Sequence, residues 1–343
     1  EVLMKKQNEP ILPSLITAKE YAALSPDERE EWRAVHPKHE RLPKWCFVCY
    51  GIAALALCIY LAARIFPAFA DLFNQNVSEI FRRTLAALTG WIPFSLGEAL
   101  ILLLPVIFGL AVWYAAKYRC DTWRSTWSFV GILVAVICLL LSMFVFTFAT
   151  GYHGRTLDQK LGLAQKEVSA EELYRTALIL AEKVNEEHEN MTYAANGFSV
   201  MPYSLPEMND KLLDAYDTFC GEHTFIDHYD TRLKPVMLSE LMNYTHITGV
   251  YSYFTGEANI DIAFPDYTIP YTAAHELAHQ RGITREDEAN FVAFLVCLES
   301  NDTYIRYSGI LSVYEYVVSS LYSANYELYK ENYYKQPKTK TYK

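Results

Sequence analysis

The sequence has 343 residues, of which 52% are hydrophobic, and its formal net charge is −10 at neutral pH. Lys and Arg never form a run longer than a pair, so the basic patch of a nucleic-acid-binding protein is lacking and we expect no nucleic-acid partner. The seven cysteines do not form a disulfide framework, and only a single disulfide between Cys220 and Cys297 is left open.

Residues 1–43 are polar and predict an N-terminal tail on the cytoplasmic side of a membrane. The stretch SPDEREEW, which begins at Ser25, has the pattern of a short capped helix. No apolar region with a small-residue cleavage site precedes it, so we predict no signal peptide.

Three long apolar segments follow, at about 45–66, 95–116 and 126–149. Each has roughly the 20 residues that an α-helix needs to cross a hydrocarbon layer of about 30 Å. Tryptophan side chains near their ends are typical of a membrane interface. These are Trp45, Trp91, Trp113, Trp123 and Trp127. We therefore predict an α-helical membrane region with three transmembrane helices over residues 44–150.

The basic residues of the short loops predict how these helices are oriented. Lys and Arg are concentrated in the N-terminal tail and in the loop between the second and third segments, whereas acidic residues offset Arg82 and Arg83 in the first loop. Because positively charged loops stay inside, we predict a multi-pass protein of the plasma membrane with a cytoplasmic N terminus and an extracytoplasmic C-terminal domain.

Residues 70–94, between the first two apolar segments, are too amphipathic to span a membrane. Apolar side chains recur there at helical spacing, among them Phe73, Val77, Ile80 and Leu88. This pattern predicts a helix lying on the outer membrane surface. Packing of the segment against the C-terminal domain is the alternative.

The region from 151 to 343 is polar enough to form a soluble domain. Ser169 and Glu172 have the spacing of a capping box and predict a helix that extends to about residue 190. Further helices are predicted at about 206–221 and 236–245 and in a Tyr-rich region at 305–330. Alternating apolar and polar residues from Ala258 to Phe264 predict a strand.

The stretch from Tyr271 to Asn290 contains an H-E-x-x-H motif, formed by His275, Glu276 and His279. Helix residues four positions apart lie on the same face, so both imidazoles can bind one ion while the glutamate lies beside them. This spacing is typical of a catalytic zinc site. We therefore predict Zn²⁺ as the cofactor, the two histidines as ligands and Glu276 as the catalytic base.

A hydrolytic zinc site has three protein ligands and one water, so a third ligand is required. Gly282 allows the motif helix to end in a left-handed turn, and Thr284 can cap a second helix from about Arg285 to Glu299. Glu286 lies in the first turn of that helix and is the predicted third ligand. Glu288 is the alternative third ligand.

Residues 286–290 read E-x-x-A-N and resemble the E-x-x-A-D signature of membrane gluzincins. This resemblance implies that Glu286 binds zinc and that the residue four positions later supports the zinc ligands. That residue is Asn290, which can still accept a hydrogen bond from an imidazole N–H but brings no charge. Similarity to zincins also implies that the strand before the motif is a sheet edge, where an extended peptide can add as another strand.

A longer resemblance is carried by three stretches of the sequence: TGEANIDIAFPDYTIPYTAAHELAHQRGITREDEANFVAFL from Thr255, IPFSLGE at the start of the second apolar segment, and RYSG at 306–309. They resemble an uncharacterised bacterial membrane family, domain of unknown function 3810. Its members have several spans first and a zincin-like domain last. The family has no settled activity, so the resemblance implies an architecture and not a substrate.

These patterns predict three transmembrane helices followed by a mainly α, α+β zincin-like extracytoplasmic domain with a small sheet, over residues 151–343. The predicted function is a membrane-anchored zinc metallopeptidase that acts on proteins or peptides, and the lipid bilayer is its other partner. The alternative is a non-catalytic metal-binding sensor or scaffold, in which a fourth protein ligand closes the site. His246 is the candidate for that fourth ligand. The sequence predicts no oligomeric state.

Overall fold

A computed structural model describes residues 16–35, 41–119 and 123–335 of the chain. The structure is mostly helical, with 71% of its residues in helices and one small sheet. Two compact units are present: one contains residues up to 58 together with 99–143, and the other contains 59–98 together with the chain from 144 onward. The predicted N-terminal tail at 1–43 lies partly outside the described residues.

The described part of the N-terminal tail forms two short helices, α1 (Ala18–Ala23) and α2 (Pro26–Val35). Before α2, the N–H of Ser25 donates to the Glu28 carboxylate at 2.8 Å, and the N–H of Glu28 donates to the Ser25 hydroxyl at 3.3 Å. This reciprocal pair is the capping box expected from the sequence.

Three helices are long and apolar enough to cross a membrane: α3 (Lys44–Ile65), α6 (Leu96–Tyr118) and α7 (Trp123–Thr147). Their bounds are within a few residues of the three predicted spans, so the expectation of a membrane protein is confirmed at this level. Within the first unit, the Tyr50 hydroxyl of α3 donates to the backbone carbonyl of Gly131 in α7 at 2.6 Å.

The second unit contains the remaining helices and the sheet. Two helices precede α6, namely α4 (Pro67–Phe73) and α5 (Glu79–Gly90), which are joined by a π-helical turn at Asn74–Ser78. The helices after α7 are α8 (Leu157–Leu161), α9 (Ala170–His188), α10 (Leu205–Glu222), α11 (Ser239–Asn243), α12 (Ile269–Gln280), α13 (Glu286–Glu299), α14 (Thr303–Ala324) and α15 (Tyr326–Lys335). The predicted capping box is present at the start of α9, and the Tyr-rich region forms two helices that separate at Asn325.

The sheet has three strands in the order β1-β3-β2, formed by Lys234–Pro235, Gly249–Ser252 and Glu257–Ile260 for β1, β2 and β3. β3 pairs in parallel with β1 and antiparallel with β2. The expectation that the strand before the motif helix lies at the sheet edge is therefore wrong, because strands flank β3 on both sides and all four of its residues are buried. The edge strand facing the motif is β2. The predicted alternation also overextended β3, which ends at Ile260.

Helix α12 lies in the middle of the main core of this unit. Three of its alanines and Leu277 are fully buried, and such small side chains let the neighbouring elements approach closely. Leu212 of α10, Val292 of α13 and Ile260 of β3 belong to the same buried cluster. A second cluster joins α9 to α14 through residues that include Leu180 and Leu311. Burial on every side explains why α12 has no amphipathic pattern.

The segment from α4 to α5 packs within this second unit, which is the alternative considered for residues 70–94. Several of its polar side chains are buried: Arg82 is 0% exposed, and it binds Asp227 at 2.6 Å across 145 positions of sequence. Asp71 accepts from Arg155 at 2.7 Å. The predicted apolar stripe divides, because Phe73 is buried whereas Ile80 is 64% exposed. The segment therefore packs against protein through polar as well as apolar side chains.

Cys220 and Cys297 are both free, so the disulfide left open by the sequence is absent from this structure. Cys297 is buried where α13 crosses α14, and a side chain at Gly309 would collide with it at 2.4 Å. The Cys220 thiol faces the backbone carbonyl of Asp227 at 3.6 Å. The two thiols therefore contact different residues, Asp227 for Cys220 and Gly309 for Cys297.

Candidate metal centre

The motif helix α12 begins with Pro270 in its first turn, where a missing N–H costs no helical hydrogen bond, and it ends at a left-handed glycine. Gly282 has φ 93°, and its N–H donates to the carbonyl of His279 at 3.1 Å. The N–H of Ile283 donates to the carbonyl of Ala278 at 3.1 Å. This pair of bonds is the Schellman ending that the glycine predicts, and it turns the chain directly into α13.

The turn brings three predicted ligands together. Nε2 of His275 lies 3.1 Å from Oε2 of Glu286, and Nε2 of His279 lies 3.4 Å from the same oxygen. One potential ligand atom from each residue lies within 4.8 Å of the other two. The two imidazole rings are perpendicular, with centroids 4.6 Å apart, and the Nε2 atoms of both rings face the Glu286 carboxylate.

Glu288 does not join this cluster. Its carboxylate accepts the N–H of Leu157 at 2.9 Å and lies 3.6 Å from Nε of Arg285. The geometry therefore places Glu286, and not the alternative, beside the histidines. Thr284 differs from the sequence expectation too, because α13 has no side-chain cap and this threonine is buried against Gly151.

The histidines are held by different neighbours. Nδ1 of His279 pairs with the carbonyl of Ile283 at 2.7 Å, which suits the tautomer that leaves Nε2 free for a metal. The ring of Phe148 packs edge-on against His279 at 5.7 Å. Asn290 lies close enough to His275 to influence its pKa, while its amide donates to the hydroxyl of Tyr316 at 3.2 Å. Its support of a zinc ligand stays a prediction.

Burial and mutual charge shift the pKa values of the cluster. Burial and the neighbouring His279 lower the pKa of His275 to about 4. Burial also depresses the pKa of His279, but hydrogen bonding to Glu286 and the nearby carboxylates outweigh it, so the net shift is upward. The hydrogen bond to His279 lowers the pKa of Glu286. The two histidines therefore differ: burial favours the neutral form of His275, whereas Glu286 favours the charged form of His279.

Glu276 lies behind the cluster, against the edge strand. It is 4% exposed, and burial raises its pKa to about 8. The strand leaves room for it only because residue 249 is glycine: a Cβ there would lie 2.6 Å from Oε1 of Glu276 and 2.9 Å from the methyl of Thr272. Gly249 was not singled out in the sequence, since no local pattern connects it to a side chain 27 positions later.

These residues fit a divalent cation. Two imidazoles and one carboxylate are a typical ligand set for a catalytic zinc ion that keeps a position for water. Among the described residues, Oε2 of Glu276 is one of the buried side-chain atoms without a hydrogen-bond partner. Such buried atoms are rare and indicate a position for a water or an ion. The site therefore has room and donors for a metal ion with its water.

The cluster opens into a cleft of about 890 Å³. The edge strand β2 forms one side, and aromatic side chains form much of the rest. The aromatic lining residues are Phe144, Phe148, Tyr152, Tyr251, Tyr253, Tyr271 and Tyr316. His246, the proposed fourth ligand of a closed site, lines the cleft in a left-handed backbone conformation with φ 57° but does not belong to the ligand cluster. The sequence analysis did not identify this aromatic wall, because its residues come from segments that are distant in sequence.

Comparison with known proteins identifies the family of this chain but no individual relative. No curated protein and no solved structure matches the chain. A family model described as "Protein of unknown function (DUF3810)" matches residues 73–340. The match includes the segment from the π-helical turn to α5, the sheet and the whole ligand cluster. Because it extends over more than half of the sequence, the chain belongs to the DUF3810 family of proteins of unknown function.

Proposed function

We propose that this protein is a membrane-anchored, zinc-dependent metallopeptidase with a zincin-like domain. The observation that carries the proposal is the position of one carboxylate oxygen of Glu286, 3.1 Å and 3.4 Å from the Nε2 atoms of His275 and His279. The cluster opens to a cleft, and a buried glutamate lies beside it. A structural zinc site would instead be closed by a fourth protein ligand.

His275, His279 and Glu286 would hold the ion. When bound, zinc lowers the pKa of a water ligand toward neutrality and polarises a peptide carbonyl. Glu276 then accepts the proton of the attacking water and delivers it to the leaving amine. Because Gly249 has no side chain, the carboxyl of Glu276 can lie directly against β2. Glu276 would therefore reach the water from the side of this strand.

The open side of β2 offers a place for the substrate. Among the described strands β2 has one neighbour, β3, so an extended peptide could pair with its other edge, where the N–H of Tyr251 already bonds to the Glu276 carboxylate. The strand lines the cleft next to Glu276. Backbone pairing of this kind binds peptides with little dependence on sequence, and the aromatic wall would select side chains.

The proposed topology follows from the distribution of basic residues. Positively charged loops favour a cytoplasmic N terminus and a cytoplasmic loop between α6 and α7. With three spanning helices, the chain after α7 is then extracytoplasmic. The catalytic domain would face the space outside the plasma membrane.

The test compares full-length protein, purified in detergent, with its Glu276→Gln and Glu299→Gln variants. Glu299 lies at the exposed end of α13 and serves as a matched control. Cleavage of fluorescein-labelled casein and zinc content by mass spectrometry are measured for each. We expect the Glu276 variant to keep its zinc and lose activity by about 10²- to 10⁴-fold, the usual contribution of a general base.

Two outcomes contradict the proposal. A Glu276→Gln protein that cleaves casein at the wild-type rate with zinc bound shows that this carboxyl has no catalytic part. Wild-type protein that binds zinc tightly and cleaves nothing favours the non-catalytic sensor or scaffold.

A further inference from the structure

We infer that the cleft acts on the membrane-proximal part of polypeptides anchored in the same bilayer. This inference rests on the proposed peptidase function and adds the class of substrate. Three observations within the second unit carry it: the origin of the cleft's aromatic wall, the attachment of the ligand turn, and the face exposed by α4 and α5.

Part of the aromatic wall of the cleft comes from the end of an apolar helix. Phe144 lies in the last turn of α7, and Phe148 follows one residue after its end. The ring of Phe144 packs on Tyr253 at 4.7 Å, and that of Phe148 packs on His279 at 5.7 Å. A predicted zinc ligand is therefore in direct contact with the chain as it leaves the third span.

The turn between the metal helix and its third ligand is held by the chain that links the first two spans. The amide of Asn74 donates to the carbonyl of Gly282 at 2.9 Å. Arg82 then holds Asn74, donating to its side-chain oxygen at 2.8 Å and to its backbone carbonyl at 3.0 Å. Because Arg82 also binds Asp227, the turn, the linking segment and the domain are joined by one buried polar network.

The linking segment has little freedom to leave the membrane surface. Only Phe66 separates α3 from α4, and residues 91–95 separate α5 from α6. Large apolar side chains are exposed along it, with Leu72 and Leu88 at 62% and 63% exposed. A helical segment tied at both ends to spanning helices, with buried polar groups and exposed large apolar side chains, fits the boundary between headgroups and acyl chains.

The contacts at the end of α7 therefore join the cleft directly to the chain that follows the third span. An extended chain advances about 3.3 Å per residue, so the first ten residues beyond a membrane anchor span about 33 Å. These residues are the part of an anchored polypeptide that we expect the cleft to bind.

A single-span substrate tests this directly. The probe is a transmembrane helix followed by an unfolded segment of about 60 residues taken from casein, reconstituted into liposomes together with the full-length protein. The same casein segment without the helix is added to parallel liposomes at equal concentration. Cleavage sites and initial rates are measured by mass spectrometry, with Glu276→Gln as the inactive control.

We expect the anchored probe to be cut at least tenfold faster than the free segment, mostly within about ten residues of its helix. Equal rates, or cuts spread evenly along the segment, would overturn the inference and leave the peptidase proposal standing. If neither probe is cut by the wild-type protein, the proposed function fails instead.

A second measurement is independent of activity. In nanodiscs, Ile80→Cys and Ile179→Cys proteins are treated with a water-soluble maleimide, and labelling of the wild-type cysteines is subtracted. The two isoleucines are matched, at 64% and 60% exposed, but Ile80 lies on α5 and Ile179 on α9. We expect residue 80 to label at least tenfold more slowly than residue 179. Equal labelling places α5 in water and refutes the membrane-proximal arrangement.

Discussion

Replacing Gly249 with alanine tests how the edge strand and Glu276, the proposed catalytic base, fit together. The added Cβ would lie 2.6 Å from Oε1 and 2.8 Å from Cγ of Glu276, whereas ordinary contacts begin at 3.4 Å. The carboxyl, the strand or both must therefore move by about 0.8 Å. Gly249 has no unusual backbone angle, so the effect comes from the side chain alone.

A displacement of about 1 Å in a catalytic group costs on the order of a hundredfold in rate. We therefore expect Gly249→Ala to lower kcat by about a hundredfold. Zinc should be retained, because residue 249 is not among the ligands. Overpacking also destabilises a core by about 1–3 kcal/mol, so we expect a modest decrease in the free energy of unfolding.

The assay measures kcat and KM on fluorescent casein peptides, zinc content and thermal unfolding in detergent. Gly221→Ala is the control, since a Cβ at this exposed position of α10 would meet nothing within 4 Å. We expect the control to match wild type in kcat. A Gly249→Ala protein with wild-type kcat and full zinc would refute the role given to the carboxyl at this position. Loss of zinc would show that the strand acts on the ligands instead.

Three further predictions concern the ligands and the buried ion pair. Glu286→Ala should lose zinc, measured on protein dialysed against a weak chelator, whereas Glu288→Ala should retain it; the reverse result moves the third ligand to residue 288. Zinc affinity should fall by up to about tenfold per pH unit below 6.5, because a proton competes for His279, whose pKa is raised; calorimetry showing no change from pH 6.5 to 5.5 contradicts this. Arg82→Ala should lower the free energy of unfolding by about 3–5 kcal/mol, because it leaves the buried carboxylate of Asp227 unpaired. Lys183→Ala, which removes an exposed ion pair, should lower it by less than about 1 kcal/mol. Both values are measured by denaturant unfolding.

Much of the candidate site follows from local sequence. Two histidines four positions apart share a helix face whatever surrounds the helix, and Gly282 fixes the turn that returns Glu286 to them. The three apolar helices and the two capping boxes are likewise local. Their predicted bounds agree with the structure because neighbouring residues alone determine them.

Other features depend on partners that are distant in sequence. Alternating residues at 258–264 predict a strand but cannot say that β1 and β2 flank it, so β3 was wrongly expected at the edge. The apolar stripe of α5 predicted a helix on the membrane surface, and packing against the C-terminal domain was only the alternative, because the partner of Arg82 is 145 positions away. The same holds for Gly249, whose importance appears only when β2 lies against α12.

The buried pair between Arg82 and Asp227 has a practical consequence for any attempt to prepare the C-terminal domain alone. A fragment beginning near residue 150, as hydropathy would suggest, lacks the arginine and keeps a desolvated aspartate, and it also lacks Asn74 beside the Gly282 carbonyl. Cutting the chain at that boundary therefore removes buried partners and leaves their polar groups unpaired. A stable fragment must include the segment between the first two spans, so that segment and the C-terminal domain form one folding unit.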